Sequence, residues 1–96
     1  MNRDEVIQQL RQRQEEFRRR YRVRRLAVFG SYAHDVQRPD SDLDLLVEFE
    51  ETPGLFDFVR LKDALTQLLG VKVDLVMEDA LRPRLRQRVL RDAIAI

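Results

Sequence analysis

The chain has no cysteine and no tryptophan, and only one histidine, three glycines and three prolines in 96 residues. Without cysteine there are no disulfides, thiolate metal sites or cysteine nucleophiles. No apolar run approaches the ~20 residues that a membrane span needs, so no membrane partner is expected. The opening MNRDEVIQQL lacks the apolar stretch of a secretory signal. With no oxidative staple either, a cytoplasmic location is the expectation. Low-complexity segments, internal repeats and linkers are also missing, so residues 1–96 read as one domain. Hydrophobic residues make up 44% of the chain, enough for one core of a few helices against a sheet.

An excess of charge is lacking overall, at +1, but the balance conceals segregation. Residues 1–25 carry nine arginines against four acids, residues 26–79 four bases against twelve acids, and residues 80–96 five arginines against one aspartate. Such a pattern suits solvated helical faces around an acidic sheet rim. It equally suits an acidic centre that concentrates divalent cations between basic ends that meet phosphate or an acidic partner.

The periodicity predicts an amphipathic helix over Asp4–Tyr21, capped by Asn2 or Asp4, with Val6, Ile7, Leu10, Phe17 and Tyr21 inward. Val23–Phe29 reads as a strand ending at Gly30, Ser31–Val36 as a short helix or turn, and Leu43–Phe49 as a largely buried second strand. After a turn over Glu50–Gly54, a helix is expected over Leu55–Leu69, with Leu55, Phe58, Val59, Ala64, Leu65, Leu68 and Leu69 as its apolar side. Gly70 stands where a left-handed helix cap belongs. Val71–Met77 alternates as a third strand. A last helix from Asp79, with Pro83 in its first turn, would turn Leu85, Val89, Leu90 and Ile94 inward. The expected fold is α/β: a small mixed sheet flanked by helices, in the order α-β-(α)-β-α-β-α.

Gly30-Ser31 leaves a strand where glycine lets a phosphate approach the backbone and helix-start N–H groups face it. Asp42 and Asp44 are two apart, so on a strand both carboxylates project to one face about 7 Å apart. With no basic neighbour in sequence, that arrangement is unfavourable unless a cation lies between them. Asp74 sits in the most regular strand, among Val73, Leu75 and Val76, where a lone carboxylate is costly unless paired or metal-bound. If the two strands are neighbours, three hard oxygen ligands converge. That set suits Mg²⁺ or Mn²⁺ rather than zinc.

The stretch GSYAHDVQRPDSDLDLLVEF, followed later by VDLV, resembles the DNA polymerase beta-like nucleotidyltransferase superfamily. Size and element order resemble its minimal nucleotidyltransferase domains, known mainly as antitoxins paired with HEPN ribonuclease toxins. The resemblance implies a palm-like fold, with Gly30 and Ser31 holding the triphosphate of ATP. It also implies that Asp42 and Asp44 bind two metal ions, and that Asp74 completes one metal and helps deprotonate the acceptor. The implied reaction is AMP transfer to a hydroxyl, a tyrosine of the HEPN toxin. Minimal members read G-S-x-A-R-G, whereas here His34 takes the arginine position and Asp35 the glycine position. A neutral imidazole gives phosphate less than a guanidinium does.

A chain this short leaves no room for an acceptor-binding domain, so the acceptor comes with a partner, a homo-oligomer or a separate subunit. A protein acceptor is the expectation. Two rival readings are a silent antitoxin that neutralises its partner by binding, and a nucleic-acid-binding accessory acting through the arginine-rich ends. Tyr21 is the only aromatic interleaved with the arginines of residues 18–25, so nucleic acid is not expected as a direct ligand.

Overall fold

Asn2 opens the first helix as half of a capping box: its side chain accepts from the Glu5 amide at 2.9 Å, and Glu5 accepts from the Asn2 amide at 3.2 Å. The computed structural model describes residues 1–96 throughout. Its order is α1 (Arg3–Gln12), α2 (Gln14–Tyr21), β1 (Val23–Phe29), β2 (Leu43–Phe49), α3 (Leu55–Leu69), β3 (Val73–Met77), a 3₁₀ turn (Glu78–Ala80), α4 (Pro83–Asp92) and β4 (Ile94–Ala95).

The first departure from expectation is the break at Arg13, which divides the single helix foreseen over Asp4–Tyr21. Between Leu10 and Phe17 the inward positions fall on Arg13 and Gln14, so no apolar contact holds the middle turn down. A bend there keeps both Leu10 and Phe17 buried.

The sheet runs β3-β2-β1-β4, with β2 and β3 parallel and the other pairs antiparallel. A parallel neighbour requires a crossover, which α3 supplies. Alternation sends Leu26 and Val28 of β1, Leu43, Leu45 and Val47 of β2, and Val73 and Leu75 of β3 into the core with Val6, Leu10 and Phe17. The intervening residues Asp44, Leu46, Glu48, Asp74 and Val76 take the opposite face.

Helix α3 buries Leu61, Leu65 and Leu69, with Phe58 and Leu68 half-buried against the core. Leu55 and Val59 point to solvent instead, because both lie roughly a quarter turn or more from the Leu61–Leu65–Leu69 row. Gly70 closes the helix at φ +69, as its position required, and β3 starts at Val73 rather than Val71.

The carboxy-terminal expectation needs the largest correction. Asp79 belongs to the 3₁₀ turn, α4 begins at Pro83 and buries no residue, and Ile94 lies in β4, paired with Val28. Leu85 and Leu90 are exposed and Val89 only half-buried. The reason is angular: Leu85 and Leu90 diverge by about 140° around the helix, too far apart to form one apolar stripe.

Candidate functional site

Register decides where the aspartates meet. In the parallel pairing of β2 with β3, Asp44 stands opposite Asp74, and in the antiparallel pairing Phe29 stands opposite Asp44. Gly30 therefore leaves β1 directly against the Asp44 side chain. Its φ is +72°, and a Cβ built there would lie 2.1 Å from Asp44 Oδ2. Glycine is required for both reasons. Ser31 opens the turn that follows, and its carbonyl accepts from the Val36 amide at 3.0 Å. Buried Tyr32 and Ala33 pin this loop into the core.

Burial pushes the Asp44 carboxyl up to about 6. The Asp74 charge, a hydrogen bond with Asp74 and the Asp42 charge act in the same direction. Neither Asp44 nor Asp74 has a basic group in salt-bridge range. Asp42 lies one residue outside β2, exposed, with Oδ2 3.9 Å from Lys72 Nζ. Lys72 is a partner the linear sequence did not offer, brought there because the Leu43 amide donates to the Lys72 carbonyl at 2.8 Å.

As the side chains stand, no group of three or more Asp, Glu, His or Cys residues is closed into a ready metal cage. Asp44 and Asp74 come together, while Asp42 leans towards Lys72. An uncompensated pair of carboxylates with an exposed third beside it fits a hard divalent cation, the charge that would relieve the Asp44–Asp74 repulsion.

The loop's unusual residues have structural work. Asp35 is left-handed at φ 57, and its carboxylate accepts from the Arg3 amide at 3.4 Å and Gln37 Nε2 at 3.3 Å, tying the loop to the start of α1. His34 Nε2 lies 3.8 Å from Asp92 Oδ2, linking the loop to the end of α4. Ser41 accepts from the Arg38 amide at 2.8 Å, as a loop serine should.

A cleft of about 290 Å³ lies elsewhere, lined by Arg24, Glu48, Phe49, Pro53, Glu78 and Arg86 among others. Apart from Asp79, its charged side chains pair with one another or with Arg25. Buried Glu78 takes Arg86 at 2.8 Å and Arg25 at 3.1 Å, and Arg24 lies 3.4 Å from Glu48. The cleft's glutamates are thus held by arginines, unlike Asp44 and Asp74.

A family model described as nucleotidyltransferase domain matches residues 10–96, which hold every one of these groups. The chain belongs to this family. Among its relatives, the protein adenylyltransferase MntA of Thermococcus cleftensis is 41% identical over 93 residues, 97% of this chain and 94% of the relative. A solved structure provisionally identified as a minimal nucleotidyltransferase is 49% identical, with a TM-score of 0.85 over 100% of this chain and 97% of its own. A toxin–antitoxin complex with AMP-PNP matches at 25% identity and a TM-score of 0.71, covering 99% of this chain and 72% of the matched one. The four-stranded mixed sheet flanked by helices is thus the fold of a nucleotidyltransferase. No helix of this nucleotidyltransferase is long and apolar enough to cross a membrane.

Proposed function

We propose that this nucleotidyltransferase transfers AMP from ATP to a hydroxyl, a tyrosine of a HEPN-type partner toxin, and so acts as an antitoxin in the cytoplasm. The observation that carries this reading is the pairing of Asp44 with Asp74, unneutralised by any base, with Asp44 pressed against Gly30, whose left-handed backbone and missing Cβ make room for that carboxylate.

Asp42, Asp44 and Asp74 would hold Mg²⁺ or Mn²⁺, which when bound supplies charge to the phosphate oxygens and eases ionisation of the acceptor. For Asp42 to join the set, its exposed side chain would turn from Lys72 towards the pair. Gly30 and Ser31 would hold the triphosphate at the turn that leaves β1, Gly30 through a backbone with no side chain in the way and Ser31 through its hydroxyl. Asp74 takes the acceptor's proton, the acceptor oxygen bonds to the α-phosphorus, and the bond to pyrophosphate breaks in line. Positioning and charge compensation carry the catalysis, and no covalent nucleophile is needed.

A second reading, neutralisation by binding alone, is favoured by one observation. His34, in the arginine position, has the Asp92 carboxylate 3.8 Å from its Nε2, a negative charge beside the place where phosphate would sit. Incubating the chain with labelled ATP, Mg²⁺ and the product of the neighbouring gene separates the two. Label on the partner that disappears in Asp42→Asn and Asp44→Asn is expected. Full neutralisation of a toxin by those variants, with no label transfer from the parent, would leave binding as the function.

A further inference from the structure

The two arginine-rich ends look alike in sequence and differ in the fold. At the amino end Arg13, Arg18, Arg19 and Arg20 pair with Glu15 or Glu16, Arg22 with Glu51, and Arg24 and Arg25 with Glu48. In α4 only Arg86 is engaged, by Glu78. Arg84, Arg88 and Arg91 have no acid within 4.0 Å.

Their spacing of four and then three residues places the three guanidinium groups in one stripe about 10 Å long. Arg86 and half-buried Val89 occupy the side turned to the body, so the stripe faces solvent. Asp92, the only acid of α4, turns to His34 instead of Arg88. Three like charges at helical-neighbour spacing repel one another, and nothing within the chain offsets them. Exposed Leu85 and Leu90 flank the stripe. The same Asp92–His34 contact places the end of α4 at the loop that runs on from Gly30 and Ser31.

We propose that the Arg84–Arg88–Arg91 face of α4 is the docking surface for the protein acceptor, which meets it with an acidic patch interrupted by apolar side chains. This rests on the acceptor being a protein, as proposed above, and adds where that protein sits. Charge complementarity selects an acidic partner. Arginine interleaved with exposed leucine is the composition of a protein interface, with its apolar contacts and guanidinium anchors. Residues 79–96 contain no aromatic side chain on which a nucleic-acid base could stack.

The test compares the full chain with an Arg84→Glu/Arg88→Glu/Arg91→Glu variant and with the corresponding triple lysine variant. The measurements are affinity for the neighbouring gene's product, label transfer to it, and Mn²⁺·ATP affinity. Charge reversal is expected to weaken partner binding at least about tenfold and raise the acceptor KM to match, through lost electrostatic complementarity. It should leave kcat and Mn²⁺·ATP affinity within about twofold, because these arginines lie outside the carboxylate site. The lysine variant should retain most of the binding and its salt dependence. Unchanged partner affinity on charge reversal overturns the proposal, as does absence of partner binding by the parent. Tighter binding of poly(U) than of the partner, lost on charge reversal, overturns it in favour of nucleic acid. Binding that is lost on reversal without any label transfer by the parent supports the docking surface and refutes the catalytic reading instead.

Discussion

Replacing Gly30 by alanine perturbs the site through one atom. The new Cβ would lie 2.1 Å from Asp44 Oδ2, and 3.0 Å from its Cγ, on a backbone held at φ +72°. An L-residue in that conformation costs on the order of 1–2 kcal/mol. Restoring ordinary contact distance requires the Asp44 carboxylate to withdraw by more than about 1 Å, and a misplacement of about 1 Å can already cost about a hundredfold in rate. Gly30→Ala should therefore fold, with a melting temperature lowered by roughly 5–15 °C for a domain of this size. It should transfer label at least about a hundredfold more slowly, with a parallel loss of Mn²⁺ affinity.

A double-mutant cycle assigns the mechanism. If alanine acts by displacing Asp44, Asp44→Asn in the Gly30→Ala background should add less than about a threefold further loss, since both changes disable one group. Parental transfer rates in Gly30→Ala would refute the reasoning, and so would fully multiplicative losses in the double variant.

The Asp44 carboxyl makes stability depend on pH and metal together. Its folded value of about 6 exceeds the ordinary 3.8, so its cost to folding is fully present above about 6 and relieved as pH falls towards 3.8. Glu48, held low by its hydrogen bond to Arg25, acts oppositely, but only below its ordinary 4.5. Mn²⁺ should thus raise the melting temperature more at pH 7.5 than at pH 5, and Asp44→Asn should abolish the difference; an equal rise at both would contradict the site. Arg22 closes α2 at φ 56, and its bridge to Glu51 is exposed. Arg22→Gly should raise stability by up to about 1 kcal/mol in urea unfolding, and a loss of similar size would show the bridge matters more than the backbone. Glu78→Gln leaves two half-exposed guanidiniums that can rehydrate, so chemical denaturation should show a loss of about 1–3 kcal/mol. A loss beyond about 4 kcal/mol would mean that the arginines are dehydrated like a fully buried pair.

Strand bounds were legible wherever local signals sufficed. Both Val23–Phe29 and Leu43–Phe49 are observed as expected, because each is a short apolar run bounded by turn residues. Gly70 marked a helix end by its own backbone restriction, whereas the last helix begins at Pro83 and not at the expected Asp79. The break at Arg13 and the exposure of Leu55, Val59, Leu85 and Leu90 were not legible, since periodicity says which residues share a face but not which face meets the body.

The same division holds at the site. The sequence alone determined that Gly30-Ser31, Asp42, Asp44 and Asp74 form a candidate set, because unpaired carboxylates among strand residues and a glycine at a strand end are local chemical anomalies. Only tertiary structure decided that Asp44 faces Asp74 and abuts Gly30, that Lys72 reaches Asp42, and that most amino-terminal arginines meet an acid while Arg84, Arg88 and Arg91 of α4 do not. Each of these depends on strand register or helix orientation. Those are properties of long-range pairing that no stretch of the chain carries by itself.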